Sequence, residues 1–315
     1  MTEFDLISLL TRSLPGNPSV LVGAGDDCAV LDLGVPDRHI LFKTDAVVEG
    51  VHFTPDTPPE QIGHKALGRC LSDIAAMAGT PTAALITMAL PRPFEPRFIE
   101  AIYSGMNVLA KRHDVAIVGG ETTTNPERLL ISVALLGWVG RAKAVLRSGA
   151  QSGDAIFVIG ELGGSLAGKH LTFEPRLAEA HWLSDNVAIH AMLDISDGLA
   201  GDLRHILKAS HKGAELLASS IPISRQARLA SSSSSTSRSS SKPPLLAALT
   251  DGEDFELLFT VSSPDAVPLL DAWKKQFPDL RLTCIGKITD TEGIQIRDKQ
   301  GLRILKEKGY EHFSQ

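Results

Sequence analysis

Apolar and polar positions along the chain follow two different periods, and each period predicts one kind of element. Short β-type runs such as HILFKTD, AALITMALP, VAIVGGETTT and LLISVALLGWVG predict strands, whereas the stretch QIGHKALGRCLSDIAAMAG between two of them predicts a helix. The segment PRFIEAIYSGMNVLAKRH has apolar residues at helical spacing, which predicts one buried face formed by Phe98, Ile99, Ile102, Met106, Leu109 and Ala110. Strands that alternate with helices predict a layered α/β domain.

Turn residues accumulate in VLRSGAQSGD, residues 145–154, just before the predicted strand AIFVIG. This pattern predicts two domains, 1–148 and 149–315. The second domain continues with a turn that leads into a helix, DISDGLAGDLRHILKAS, and with the predicted strands DFELLFTV and RLTCIGKI. The serine-rich stretch at 231–242 has no residues to bury, so we expect a mobile surface loop without a functional role there.

Composition and charge disfavour several classes of protein. The 315 residues are 43% hydrophobic and 22% charged, which is ordinary for a globular protein, and the net charge of −6 provides no overall field for nucleic acid or an anionic membrane. The start, MTEFDLISLL, lacks the Lys or Arg of a secretory signal, and no stretch has the apolar length of a membrane span. Three scattered cysteines favour packing roles in a reducing cytoplasm, namely Cys28, Cys70 and Cys284.

The segment VIGELGGSLAGKH comes close to a phosphate-binding P-loop. Gly163 to Lys169 fits the G-x-x-x-x-G-K half of that motif and follows a predicted strand. His170, however, stands where the motif needs Ser or Thr for magnesium. We therefore expect a glycine-rich turn between a strand and a helix, with Lys169 in solvent.

Carboxylates recur at turns after apolar runs. Each has an ordinary alternative: Asp73 or Asp197 as a helix cap, Asp27 in an Asx turn, Glu253 as a solvated charge. Together in one cleft they would repel one another unless a cation neutralised them. Such hard oxygen ligands suit Mg²⁺ or Ca²⁺ better than zinc, and the EF-hand spacing is absent. The pattern therefore predicts a magnesium site for nucleotide chemistry.

Eight segments occur in a fixed order over nearly the whole chain: GAGDDCAVL, TDAVVEGVHF, LSDIAAM, VGGETT, LRSGA, DISDGL, GEDFELLFT and KGYEHF. In this combination the sequence resembles the thiamine-monophosphate kinases, a family in the superfamily typified by aminoimidazole ribonucleotide synthetase. The resemblance implies an α/β (α+β) fold of two layered domains with mixed sheets, in which N-terminal strands form a barrel across a homodimer. It also implies a cytoplasmic enzyme without nucleic-acid or membrane partners.

The activity that the resemblance implies is direct in-line transfer of the γ-phosphate of ATP to thiamine monophosphate, which yields thiamine diphosphate. Several Mg²⁺ ions are the implied cofactors, and a monovalent cation such as K⁺ is an additional candidate. We expect no catalytic general base, because a phosphate acceptor with a second pKa of about 6 is mostly a dianion at neutral pH.

The resemblance also implies roles for individual residues. The magnesium positions are Asp27, Thr44, Asp45, Asp73, Glu121, Asp194 and Asp197. The positions at ATP are Gly120, Glu121, Arg147, Ser196 and Tyr103. The positions at thiamine monophosphate are His52, Glu253 and Tyr310.

Three residues depart from the family pattern. Glu121 replaces a common Asp, Cys70 replaces a frequent Asn, and Lys43 stands where some members have a serine near a metal. We expect Lys43 to replace one magnesium contact with a fixed positive charge near phosphate. Glu121 still offers oxygens, but its longer side chain is expected to shift one metal.

Two alternatives stay open. Other members of the superfamily activate an acyl oxygen or a selenide, but neither the reactive cysteine of a selenium-transfer enzyme nor the C-terminal cysteine of a hydrogenase-maturation protein is found, since the sequence closes on KGYEHFSQ. A non-catalytic module that binds divalent ions or nucleotide as a sensor is the other alternative.

Overall fold

The computed structural model of the chain describes residues 3–232 and 242–312. The chain forms two units, which we describe separately. The N-terminal unit consists of Pro18–Ala144 and His170–His181, and the C-terminal unit of Met1–Asn17, Val145–Lys169 and Trp182–Gln315. The domain boundary at 148 stays a prediction. Of the predicted mobile loop at 231–242, residues 233–241 lie outside the described residues, and residues 231 and 232 close a helix.

The helices and strands follow one another along the described residues in this order. The helices are α1 Glu3–Thr11, α2 Pro59–Ala76, α3 Pro96–Arg112, α4 Lys169–Thr172, α5 Leu177–Asn186, α6 Leu199–Ser210, α7 Arg225–Ser232, α8 Pro244–Thr250 and α9 Ala266–Gln276. The strands are β1 Val20–Val22, β2 Ala29–Leu31, β3 Arg38–Val48, β4 Thr80–Leu90, β5 Ala116–Thr124, β6 Leu130–Gly140, β7 Ala155–Ile159, β8 Ile189–Asp194, β9 Gly213–Leu217, β10 Leu257–Val261, β11 Leu282–Thr289, β12 Gly293–Asp298 and β13 Gly301–Ile304.

The N-terminal unit contains a mixed six-stranded sheet with the order β1-β2-β3-β6-β4-β5. Only the pair β4 and β5 is parallel; the other neighbouring strands are antiparallel. Helix α2 packs against β3 and β6, and on that face the alternate residues of the strands are buried. The opposite face carries exposed apolar side chains, since Phe42, Leu85 and Leu136 keep 46%, 49% and 43% of their surface in water.

Helix α2 is buried on nearly all sides because it lies between the sheet and α3. Two glycines allow the helices to approach closely: a Cβ on Gly63 would lie 1.9 Å from the carbonyl oxygen of Ile102, and one on Gly105 would lie 1.9 Å from that of Glu60. The predicted buried face of α3 is confirmed, with Ile102, Met106, Leu109 and Ala110 buried and Phe98 and Ile99 half-buried. The tight contact fixes α2 relative to α3.

The C-terminal unit contains a mixed seven-stranded sheet with the order β13-β12-β9-β11-β7-β10-β8. Strands β9 and β12 are parallel, and the remaining neighbours are antiparallel. Every residue of β7 and β10 is buried, which explains why their sequences are apolar without alternation. The predicted fold class, two layered α/β domains with mixed sheets, is confirmed. Among the described residues, no helix is both long and apolar enough to cross a membrane.

Candidate active site

Strand β3 and helix α2 bring two cations and two carboxylates together. Lys43 and Asp45 are two residues apart on β3 and face α2, while Arg69 and Asp73 are four residues apart on one side of α2. The Lys43 Nζ atom is 3.0 Å from Asp73 Oδ1 and 3.7 Å from Asp45 Oδ1. The Arg69 Nε atom is 3.9 Å from Asp45 Oδ2. Because Asp73 lies inside the helix, the helix-cap alternative for this residue is excluded.

Asp27 joins this group from the turn between β1 and β2. It is buried, and one of its oxygens lies within 4.8 Å of an oxygen of Asp73. Two neighbouring cysteines, Cys28 and Cys70, are buried and free, as expected for packing residues. Burial, followed by the nearby carboxylates, raises their pKa values, so both remain thiols and the available metal ligands are oxygens. We call the whole group the N-terminal cluster: Asp27, Lys43, Asp45, Arg69 and Asp73.

Charges within the N-terminal cluster compensate one another. Burial acts to lower the pKa of Lys43, but the carboxylates of Asp73 and Asp45 outweigh it and the pKa lies well above its usual value. Burial acts to raise the pKa of Asp45, and here Lys43 and Arg69 prevail, so the pKa is lowered. The cluster therefore favours the ionised form of Asp45 by means of its own cations.

Thr44 and Glu121 lie on the opposite face of the same sheet. Thr44 stands between Lys43 and Asp45, so its side chain points the other way, and its Oγ1 lies 3.3 Å from the Oγ of Ser132. Glu121 pairs in register with Thr87, which pairs with Ser132, so Glu121 shares the face of Thr44. Within one chain, the sheet thus separates the Thr44 hydroxyl and the Glu121 carboxylate from the N-terminal cluster.

Gly120 has a backbone that only glycine fits. Its φ is +153°, and a Cβ there would lie 1.8 Å from the carbonyl oxygen of Ile86 on the neighbouring strand. The residue is exposed on the edge strand β5, where a ligand can reach its backbone. Tyr103, on α3, is half-buried, and burial raises the pKa of its hydroxyl.

His52 is fixed in the loop that follows β3. The Val48 N–H donates to His52 Nδ1 at 3.1 Å, and Lys65 Nζ donates to the His52 carbonyl oxygen at 2.5 Å. Since Nδ1 accepts this bond, the neutral imidazole carries its proton on Nε2. The sequence-predicted substrate residue therefore presents a hydrogen-bond donor.

Three predicted segments meet at one turn of the C-terminal unit. The turn follows β8 and contains Ser196 and Asp197. The Glu253 N–H donates to the Ser196 carbonyl oxygen at 2.6 Å, and the Tyr310 N–H donates to the Asp197 carbonyl oxygen at 2.8 Å. Segments distant in sequence, DISDGL, GEDFELLF and KGYEHF, are thereby brought together as the motifs predicted.

Glycines next to these segments permit the close approach. A Cβ on Gly252 would lie 2.7 Å from the Ser196 carbonyl oxygen, and one on Gly309 would lie 2.2 Å from that of Asp197. Helix α6 starts after Gly198 without a side-chain cap, so the helix-cap alternative for Asp197 is excluded. The glycines in the two motifs therefore serve the assembly of the site.

Asp202 was missed by sequence reasoning. It lies buried in the first turn of α6, and its Oδ2 accepts a hydrogen bond from the Asp197 N–H at 3.0 Å. Burial, followed by the carboxylates of Asp197 and Asp194, raises its pKa well above the usual value, and Arg147 acts in the opposite direction. The only signal in the sequence is a second Asp five residues after Asp197. We call this group the C-terminal cluster: Arg147, Asp194, Ser196, Asp197, Asp202, Glu253 and Tyr310.

The glycine-rich segment that resembles a P-loop binds the protein's own carboxylates. The Gly163 N–H donates to both oxygens of Asp254, at 3.1 and 2.9 Å, and the Gly164 N–H donates to Asp251 at 3.2 Å. Lys169 Nζ lies 2.7 Å from an oxygen of the buried Glu256. The expectation that Lys169 lies in solvent is therefore wrong, because the buried carboxylate needs a counter-charge.

Known proteins resemble this chain over most of its length. The family model for AIR synthase related protein, N-terminal domain, matches residues 25–139. A thiamine-monophosphate kinase of Rhodopirellula baltica is 40% identical over 291 residues, which cover 90% of this chain and 87% of the relative. The chain belongs to the thiamine-monophosphate kinase family. Another thiamine-monophosphate kinase, from Bacillus subtilis, is 34% identical, and the match covers 99% of this chain and 100% of the Bacillus subtilis protein.

A solved structure agrees with this thiamine-monophosphate kinase membership. AaThiL complexed with AMPPCP and TMP has a TM-score of 0.82 and 30% identity, and the match covers 99% of this chain and 97% of that one. The family and the enzyme class predicted from the ordered motifs are thus confirmed. The roles of individual residues stay predictions.

Proposed function

We propose that this chain transfers the γ-phosphate of ATP to thiamine monophosphate, giving ADP and thiamine diphosphate by in-line displacement. The observation that carries the proposal is the 40% identity with the Rhodopirellula baltica thiamine-monophosphate kinase across nearly the full length of both chains. The structural similarity to AaThiL complexed with AMPPCP and TMP adds support, because that protein is bound to a nucleotide analogue.

The proposed ligand-binding residues keep the roles implied by the motifs. ATP would contact Gly120, Glu121, Arg147, Ser196 and Tyr103. Thiamine monophosphate would contact His52, Glu253 and Tyr310. Region 1–148 is the proposed domain for ATP, Mg²⁺ and dimerisation.

The residues present fit magnesium. The N-terminal cluster offers carboxylate oxygens from Asp27 and Asp73 within 4.8 Å of each other, while the neighbouring Cys28 and Cys70 stay protonated. Oxygen donors without thiolate or imidazole are the ligand set that Mg²⁺ prefers. The residues that would hold Mg²⁺ are Asp27, Thr44, Asp45, Asp73, Glu121, Asp194 and Asp197.

The reaction needs charge compensation more than proton transfer. The acceptor phosphate is mostly a dianion at neutral pH, so no residue has to remove a proton. Two polyanions must instead approach each other, and Coulomb repulsion opposes this. Mg²⁺ held by the carboxylates named above would supply positive charge that offsets this repulsion.

Three side chains of this chain would add positive charge or hydrogen-bond donors near the phosphates. Arg147 offers a planar pair of N–H donors to the nucleotide phosphates. His52 can donate from Nε2, since its Nδ1 accepts from Val48. Lys43 keeps a permanent positive charge in the N-terminal cluster, with its pKa raised by Asp73 and Asp45 against the effect of burial.

A homodimer is part of the proposal. The uncovered face of the N-terminal sheet exposes Phe42, Leu85 and Leu136, and an apolar sheet face of this kind favours burial against a second copy. Phe42→Asp should shift the protein to a monomer in light scattering coupled to size exclusion. Val108→Asp, at an exposed position of α3, is the matched control and should leave the oligomeric state unchanged.

Product analysis tests the proposed reaction. Purified protein is incubated with ATP, Mg²⁺ and thiamine monophosphate, with thiamine and an acceptor-free mixture as controls, in K⁺ and in Na⁺ buffers. Thiamine diphosphate formed in step with ADP, and only from the monophosphate, is the expected result. ADP without that product would assign another acceptor, and no ADP at all would favour a binding module that senses nucleotide or divalent ions.

A further inference from the structure

The segment that carries Glu253 has a strained backbone. Glu253 has φ of +64° and Phe255 has φ of +51°, both in the left-handed region. A residue other than glycine is strained in this region and persists there only where its surroundings determine its conformation. The contacts that hold this segment therefore matter for the position of Glu253.

Three hydrogen bonds hold the two strained residues themselves. The Glu253 N–H donates to the Ser196 carbonyl oxygen at 2.6 Å, and the Phe255 N–H donates to that of Ile195 at 2.8 Å. The hydroxyl of Ser165 donates to the Glu253 carbonyl oxygen at 2.6 Å. Ser165 belongs to the glycine-rich segment, so that segment contacts the Glu253 backbone directly.

Asp254, between the two strained residues, makes the second link to the glycine-rich segment. Its side chain is fully buried, and both carboxylate oxygens accept the Gly163 N–H, at 3.1 and 2.9 Å. Gly163 is itself fixed: its φ is +82°, a Cβ there would lie 2.6 Å from the Ala248 nitrogen, and its carbonyl oxygen accepts from Ser224 Oγ at 2.5 Å. Asp254 is thus attached to a glycine that is itself tightly packed and hydrogen-bonded.

The surroundings of Asp254 bring its protonated and ionised forms close in energy near neutral pH. Burial raises its pKa to about 7, with Glu256 and Asp251 acting in the same direction, while Lys169 and the Gly163 hydrogen bond act to lower it. Burial of a carboxyl group is costly unless hydrogen bonds compensate for the lost water, and the Gly163 N–H supplies such a bond to Asp254.

We propose that Asp254 is a positioning residue, which holds Gly163 and thereby keeps the left-handed backbone at Glu253 that sets the affinity for thiamine monophosphate. The inference rests on the proposed function, because it uses the assignment of Glu253 to the substrate. Asp254 itself touches the glycine-rich segment and takes no part in phosphoryl transfer.

Kinetics of Asp254→Ala, Asp254→Asn and Asp290→Asn test the proposal. Asp254→Ala should raise the KM for thiamine monophosphate about tenfold, the order expected for losing a hydrogen bond to a charged group, and should leave kcat and the KM for ATP unchanged. Asp254→Asn keeps one acceptor oxygen and should recover most of the loss. Asp290→Asn, at a side chain that is 74% exposed, is the matched control and should behave like the unchanged chain.

A double-mutant cycle separates positioning from a general loss of structure. In a Glu253→Gln background, Asp254→Ala should cause no further rise in KM, because both changes remove the same substrate contact. Additive effects would overturn the proposal. If Asp254→Ala does not fold, Ser165→Ala replaces it, since this hydroxyl also holds the Glu253 backbone and its loss should raise the same KM.

Amide hydrogen exchange distinguishes failure of this inference from failure of the proposed function. Asp254→Ala should speed exchange in residues 251–256 and 160–166 together, and Asp290→Asn should not. Unchanged exchange overturns the positioning role whatever the substrate is. Faster exchange with an unchanged KM for thiamine monophosphate would overturn the link between Asp254 and the substrate. If the chain without substitutions makes no thiamine diphosphate, the proposed function is refuted, while the exchange result still decides the positioning role.

Discussion

The N-terminal and C-terminal clusters both collect aspartates, but they balance the charge differently. In the N-terminal cluster, Lys43 and Arg69 contact the carboxylates, and the pKa of Asp45 is lowered against the effect of burial. In the C-terminal cluster, burial and neighbouring carboxylates raise the pKa of Asp202, with Arg147 opposing them. The two clusters each contain three aspartates, yet the pKa of an aspartate is lowered in one and raised in the other. The number of aspartates in a cluster therefore does not predict how many of them are ionised.

This difference arises from which elements meet. Helix α2 faces β3, which brings Asp73 Oδ1 to 3.0 Å from Lys43 Nζ and Arg69 Nε to 3.9 Å from Asp45 Oδ2, so each cation lies near a carboxylate of the facing element. In the C-terminal turn, Asp194, Asp197 and Asp202 follow one another without a basic residue between them. The basic member of that cluster, Arg147, comes from a different segment, and its effect on the pKa of Asp202 is outweighed by burial and the neighbouring carboxylates.

The largest expected effect is the loss of turnover in Asp73→Asn. This change removes a carboxylate from the proposed magnesium site of the N-terminal cluster, and kcat should fall by about 100-fold or more. Asp32→Asn, at an ion pair with Arg141 in the same unit, is the control and should stay active. Full activity of Asp73→Asn at limiting Mg²⁺ would refute the assignment of Asp73 as a magnesium ligand.

Lys43→Met tests the charge compensation within the N-terminal cluster. Without the ammonium group, Asp73 loses a cation at 3.0 Å and Asp45 keeps Arg69 alone of the two cations in the cluster, so the free energy of unfolding in EDTA should fall by about 2 kcal/mol. Added Mg²⁺ should then raise the melting temperature more in the variant than in the unchanged chain. Equal responses to Mg²⁺ would show that Lys43 does not compensate these carboxylates.

Asp202→Asn should raise the free energy of unfolding in EDTA, by less than Lys43→Met lowers it. The raised pKa of Asp202 means that its contribution to stability is complete below the unfolded value of 3.8 and is lost as the pH rises through the folded value. A neutral amide avoids this loss, so the variant in EDTA should be more stable at neutral pH by about 1 kcal/mol. Urea unfolding across a range of pH measures the difference. A variant less stable than the unchanged chain at neutral pH would show that the ionised form of Asp202 is not disfavoured in the folded protein.

The smallest effect concerns the pH dependence of Asp45. Its pKa is lowered, so its contribution is present above the unfolded value of 3.8 and is lost as the pH falls through the folded value. In EDTA, Asp45→Asn should therefore be less stable than the unchanged chain at pH 7, with a gap that closes in acid. A gap independent of pH would indicate lost packing instead of lost charge.

Much of the fold follows from patterns within single elements. The helical spacing from Phe98 to Ala110 correctly predicted the buried face of α3, and the uninterrupted apolar run AIFVIG matches the inner strand β7. The order of the motifs identified the family. These features were predictable because each depends on neighbours within one element or on the order of segments along the chain.

The contacts made between elements were less predictable. Asp202 was missed because its importance arises only when the turn after β8 folds back over the start of α6. Lys169 was expected in solvent because its partner, Glu256, is 87 residues away in sequence. Thr44 appears beside Asp45 in the motif, yet strand alternation sends the two side chains to opposite faces.

The glycine-rich segment has a consequence for protein engineering. A designer working from the sequence could try to complete the P-loop by replacing His170 with serine, since that is the one residue in which Gly163 to His170 departs from the motif. The substitution would not create a nucleotide pocket, because Asp254 and Asp251 already occupy the amides of Gly163 and Gly164. Any redesign would first have to replace the carboxylates of Asp251 and Asp254. It would then need other hydrogen bonds to hold the left-handed backbone at Glu253 and Phe255.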